Sequence, residues 1–135
     1  MSAPSVLGRT PSRCPCGSGA TYAACCAPLV RAQALAQTAE ALMRSRYTAY
    51  AVGDVEHLLR TWHPRTRPVA LDLDDGPRWT GLVVEHASGG GPGDTEGTVE
   101  FRARWSGPGG SGELHEVSRF ERRGGRWLYV DGDAG

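Results

Sequence analysis

The sequence predicts an α+β fold, with helices first and an antiparallel sheet after them. Three observations predict it. Residues 38–62 place apolar side chains at helical spacing, the chain after residue 66 reads as strand and turn, and four cysteines crowd into residues 14–26. The composition suits one globular domain: 135 residues, 39% hydrophobic and 22% charged, with 19 Gly and 9 Pro. A chain of this length buries roughly 68% of its unfolded surface, enough for a core without staples.

Residues 1–12, with Pro, Ser and Gly and little to bury, read as a disordered arm. They lack the apolar core of about 7–15 residues that marks a secretory signal. Residues 13–28 read as a metal knuckle built on Cys14, Cys16, Cys25 and Cys26. Clustered cysteines in an intracellular chain are metal ligands more often than disulfides. A Cys25–Cys26 bridge is strained, because neighbouring Cα atoms sit about 3.8 Å apart, shorter than the usual disulfide range of about 4.4–6.8 Å. Thiolates about 2.3 Å from a zinc ion accommodate sequence neighbours without that strain. Gly17 and Gly19 let the backbone fold back and turn amides toward sulfur, Ser18 adds a hydroxyl, and Thr21 caps a short turn carrying Cys25 and Cys26. Arg13 and Arg31 flank the cluster and offset part of its negative charge. A redox dithiol pair and inert thiols are the alternatives.

Residues 29–135 form the main domain, and Pro28 marks the exit from the knuckle. The Ala-rich segment 29–37 reads as helical. A helix then starts at the N-cap Thr38, carries Ala39, Leu42, Met43, Tyr47 and Tyr50 as its apolar stripe, and ends at Gly53. Asp54 caps a second helix, stopped by Pro64, with Val55, Leu58, Leu59 and Trp62 inward. Strands are expected over 78–87, 95–105, 113–122 and 126–130, separated by flexible Gly-rich turns. Residues 95–105 alternate cleanly, with Val99, Phe101, Ala103 and Trp105 on one face. Residues 113–122 alternate poorly, which a bulge or a polar-lined cavity explains.

CPCGSGATYAACC resembles the SEC-C motif, the small metal-binding knuckle found at the tail of the SecA translocase. TAEALMRSRYTAYAVGDVEHLLRTWHP and ELHEVSRFERRGGRWLYVDG are similar to segments of the YchJ family, the UPF0225 group. The resemblance implies an NTF2-like cone, in which a curved antiparallel sheet wraps over the helices and leaves a pocket at its open end. It implies metal binding and brings no reaction with it. Kinship with the SecA tail implies a protein or ribosome-associated partner.

Arg46 is the odd residue of the long helix, lying between stripe positions Met43 and Tyr50. An ion pair with a carboxylate such as Asp72 or Asp131 is the bland expectation, and an anion clamp is the sharper one. Arg46, Tyr47, His63 and His115 are the candidates to line the pocket. His57 is expected to be exposed, and His115 is the best placed of the histidines to face a cavity. No catalytic set is apparent: there is no G-x-S-x-G and no second ligand cluster.

Charge narrows the partners. Fifteen basic and fifteen acidic residues cancel, so the chain is not built around a polyanion and no nucleic acid is expected. Every strong base is Arg, because Lys is absent, which removes Schiff-base and P-loop chemistry. No apolar run approaches the ~20 residues of a membrane helix, and the cytoplasm is the expected compartment. The leading expectation is a zinc-binding interaction module, with iron as the competing metal at soft thiolates. An isomerase- or hydrolase-like enzyme using the pocket is the second reading, and metal delivery or sensing the third. Loss of the metal is expected to unsettle the knuckle alone, since the later core has its own apolar faces.

Overall fold

Three helices precede four strands: α1 (Ala27–Val30), α2 (Ala39–Val52), α3 (Val55–Arg60), β1 (Arg78–Gly89), β2 (Glu96–Gly107), β3 (Gly110–Arg123) and β4 (Arg126–Ala134). This computed structural model describes residues 12–74 and 76–134, and the expected arm, Ser12 apart, lies outside them.

Local chemistry sets the helix ends. Thr38 Oγ1 accepts the Ala41 N–H at 3.0 Å, which satisfies one of the orphan amides at the start of α2. Gly53 closes that helix in the left-handed region, φ 80°, with its N–H bonded to Ala49 O. The Asp54 side chain accepts from His57 N–H at 3.0 Å and starts α3. That helix ends at Arg60, one turn before Pro64, so Trp62 lies beyond it. The Ala-rich segment 29–37 is helical only at Leu29 and Val30, the end of α1. Pro28 lies in the first turn of α1, and four residues later the chain turns through Ala32 at φ 60°.

The strands form an antiparallel meander in the order β1-β2-β3-β4. Two hairpins run closer to their turns than the Gly-rich sequence suggests. Only Pro108 and Gly109 separate β2 from β3, and only Gly124 and Gly125, both at positive φ, separate β3 from β4. The turn after β1 is also bonded in place: the Asp94 side chain accepts from Gly91 N–H, and Gly90 O accepts from Ala39 N–H at the start of α2. A side chain at Gly90 would put its Cβ 2.7 Å from that of Ala39, so the contact needs glycine.

Helix α2 packs on β1, β2 and β4. The clean alternation of β2 is confirmed, since Val99, Phe101 and Ala103 are buried against α2 while Arg104 points to solvent. The outer edge of β4 is covered by the segment after α3: His63 N–H bonds Tyr129 O and Tyr129 N–H bonds Thr61 O, each at 2.8 Å. The cysteines are not a separate unit. Cys14, Cys16, Cys26 and Val30 share one buried cluster with Leu42, Met43 and Tyr47.

Candidate metal centre and adjoining cavity

The knuckle is a miniature hairpin. Cys14 N–H bonds Ala20 O at 2.8 Å and Tyr22 N–H bonds Ser12 O at 3.1 Å, which brings the two halves of the cluster together. Gly17 and Gly19 take φ 79° and 91°, the reversal for which glycine suits these positions. Thr21 Oγ1 accepts from Ala24 N–H at 3.3 Å, and the turn it starts delivers Cys25 and Cys26.

All four sulfurs lie within 4.8 Å of one another, and all four cysteines are free. Cys16 Sγ is 3.6 Å from Cys25 Sγ, and Cys25 Sγ is 3.9 Å from Cys26 Sγ. A tetrahedron with metal–sulfur bonds of about 2.3 Å has edges of about 3.8 Å. The spacing therefore fits one cation held by all four side chains. Cys14, Cys16 and Cys26 are buried, and Cys25 is half-buried.

Protons are unevenly shared in this cluster. The hydrogen bond from Cys26 draws Cys16 down to about 4 against the cost of burial, and Ser18 helps through its hydroxyl and its amide. Cys26, held by that same bond, is pushed up, and burial pushes Cys25 up. The glycine amides were expected to serve sulfur, but Gly17 N–H goes to Cys14 O, and Ser18 supplies the backbone donor. Ser18 Oγ also sits 3.2 Å from Cys25 Sγ.

Two supports come from α2. Thr48 Oγ1 stands 3.7 Å from Cys14 Sγ, and Arg44 Nη1 donates to Cys16 O at 2.9 Å while its Nε pairs with Glu40 at 3.0 Å. Burial works to lower the Arg44 pKa, but Glu40 and the Cys16 sulfur outweigh it and hold the guanidinium above its ordinary value. Sequence reasoning paired Arg44 with Glu40 and missed its role at the cysteines. Arg13 bonds Gly19 O, and Arg31 lies over the Tyr22 ring at 5.8 Å.

A cavity of about 260 Å³ lies between α2 and the sheet, with Met43, Phe101, Leu114 and Phe120 in its wall. Arg46 and Tyr47 line it as expected, joined by Tyr50, Trp79 and Tyr129. Glu116 and Ser118 face it too, so the poor alternation of β3 has the polar-lined cavity as its cause. Arg46 makes neither of the expected ion pairs. Its Nη1 donates to Leu58 O at 2.8 Å and Thr61 Oγ1 at 2.7 Å, which caps the end of α3, and its Cζ lies 4.9 and 4.6 Å from the Trp62 and Tyr129 rings.

The histidines are elsewhere. His115 is on the outer face of the sheet, where Nε2 meets Glu100 at 2.6 Å and Glu85 at 3.8 Å. With Leu114 turned to the cavity, the strand's period of two sends His115 outward. His63 is buried outside the cavity: Nδ1 accepts Arg65 N–H at 3.0 Å and Nε2 faces Glu121 at 3.2 Å. His57, expected to be exposed, is 2% exposed. Its Nε2 is 2.8 Å from Ser45 Oγ, a spacing that suggests a nucleophile and its base. The hydrogen directions point the other way. Ser45 Oγ donates to Leu42 O at 2.8 Å, and Arg60 Nη2 donates to His57 Nδ1 at 3.0 Å, so Nε2 must be the donor to Ser45. The pair is a sealed structural bond.

Comparison with known proteins agrees with this architecture. Residues 11–28 match the SEC-C motif, and residues 38–132 match the YchJ middle NTF2-like domain. A UPF0225 protein of Streptomyces coelicolor is 55% identical over 120 residues, covering 89% of this chain and 94% of its own. One of Deinococcus radiodurans is 50% identical, covering 87% and 86%. The solution structure of a SEC-C motif containing protein from Rhodopseudomonas palustris superposes with a TM-score of 0.80 at 40% identity, over 90% of this chain and 98% of its own. A crystal structure of a SEC-C motif containing protein from Psychrobacter arcticus gives 0.73 at 26% identity, over 90% and 82%. A SEC-C knuckle seated against an NTF2-like domain, with relatives this similar along nearly their whole length, places the chain in the UPF0225 family.

Proposed function

We propose that this chain is a cytoplasmic zinc-binding protein whose knuckle, ordered by the metal, presents a surface to another protein. The convergence of four free sulfurs at tetrahedral spacing carries the reading. With four protein ligands the site has no open position, which supports a structural ion over a catalytic one. Burial of three sulfurs in the common core supports a retained metal over one that is delivered or sensed. Four unpaired thiols suit a reducing compartment. No helix among the described residues is long and apolar enough to cross a membrane.

The exposed loop Gly17–Ala20 is the surface the knuckle offers, and a ribosome-associated protein is the partner class its resemblance favours. Elemental analysis of protein purified without added metal tests the core of this reading. One zinc per chain, lost in both Cys25→Ser and Cys26→Ser, is the expected result. Iron in place of zinc would change the metal, and retention of metal in both variants would overturn the ligand set. Cosedimentation with ribosomes, strong for the loaded protein and weak for the variants, tests the partner.

A further inference from the structure

We propose that the cavity between α2 and the sheet binds a small aromatic monocarboxylate, recognised by Arg46. The inference is independent of the metal. Arg46 is 5% exposed, yet among the described residues no carboxylate lies within ion-pair distance of it. Leu58 O and Thr61 Oγ1 occupy Nη1 alone, and neither acceptor carries a charge. Burial pulls the guanidinium down to about 10, so it remains cationic at neutral pH. Glu116, on the same cavity wall, acts on Arg46 only across the cavity, without direct contact, so a ligand carboxylate placed against the guanidinium supplies the contact pairing that a buried cation favours. Guanidinium is also the side chain best matched to a planar carboxylate.

The rest of the lining fixes the body of the ligand. Tyr47 and Trp79 meet edge to face at 6.3 Å, and Phe120 and Tyr129 do so at 5.9 Å, giving aromatic walls suited to a ring. The volume of about 260 Å³, just below the roughly 300–1,000 Å³ usual for ligand pockets, admits one ring with short substituents. Tyr50, Trp79 and Leu114 are half-buried and mark the side open to solvent.

Glu116 supplies selectivity. Its carboxylate accepts from Ser118 Oγ at 2.6 Å and, like Arg46, is in no ion pair among the described residues. It repels a second carboxylate and accepts a bond from a hydroxyl or amine. The favoured ligand therefore has one acid group and a donor at its other end.

The test titrates the metal-loaded protein with 4-hydroxybenzoate, its amide analogue and terephthalate, read by tryptophan fluorescence and by amide shifts of the cavity residues. The acid is expected to bind at least about tenfold more tightly than the amide, a difference of about 1.4 kcal/mol. Arg46→Gln should erase that preference. Because this variant removes the cap on α3, Glu116→Gln provides a second test that leaves Arg46 in place: it should raise terephthalate affinity about tenfold, by removing a like charge. Equal binding of acid and amide, no binding of any probe at millimolar concentration, or unchanged terephthalate affinity in Glu116→Gln overturns the proposal.

Discussion

Thr48 Oγ1, in the middle of α2, stands 3.7 Å from Cys14 Sγ. This contact joins the first sulfur of the knuckle to the helix that forms one wall of the cavity. It also revises the expectation that metal loss stays local. Chelation is expected to raise amide exchange in α2 around Met43–Thr48 as well as in residues 14–26, by more than about tenfold, as local unfolding would require. Hydrogen exchange with and without a strong chelator measures this. Unchanged protection of α2 would mean that the knuckle is an independent unit.

Arg44 supports the metal site through Cys16 O and its charge. Replacing Arg44 by Gln should weaken metal affinity by about 10–100-fold, the usual effect of losing an outer partner of a metal site. Competition with a chromophoric chelator gives the number. Arg44→Lys should recover part of the loss, because it restores the charge without the planar fork.

His57 makes stability depend on pH. Burial first, and then the Arg60 and Arg46 charges, lower its pKa from 6.5 to about 4. The unfolded chain therefore binds a proton between those values that the folded chain refuses. Stability is complete above about pH 6.5 and falls as the pH drops toward 4, by about 3 kcal/mol in total. Urea midpoints of the wild type and His57→Gln, both zinc-loaded, should diverge over that window, with the wild type losing more. Parallel curves would mean that His57 is charged in the fold.

Gly17 and Gly19 separate backbone strain from crowding. Alanine at either must adopt positive φ, at a cost of about 1–2 kcal/mol. At Gly19 the new Cβ meets open space, whereas at Gly17 it comes within 3.1 Å of Leu82 O on β1. Gly17→Ala should accordingly lower the thermal midpoint more than Gly19→Ala. Equal losses would show that the knuckle does not rest on the sheet edge.

Much of this was legible in the sequence, for reasons that differ between elements. The cysteines were readable because a metal constrains residue type and spacing together. Helix α2 was readable because its ends are chemical, Thr38 at one and Gly53 at the other. Strand β2 was readable because one face is buried and the other is wet. His57 was not, because its inward turn depends on Ser45, a polar residue on another helix. His115 was misplaced because Glu116 and Ser118 put polar groups on the cavity face, hiding the parity of β3. The turns read as loose because Gly-rich strings look alike whether they hang free or form two-residue hairpins.

X-ray absorption at the edge of the bound metal tests the four-sulfur site most directly. The wild type should show a first shell of four sulfurs at about 2.3 Å, with no nitrogen or oxygen neighbour. A shell containing nitrogen or oxygen, or fewer than four sulfurs, would contradict a centre built from Cys14, Cys16, Cys25 and Cys26.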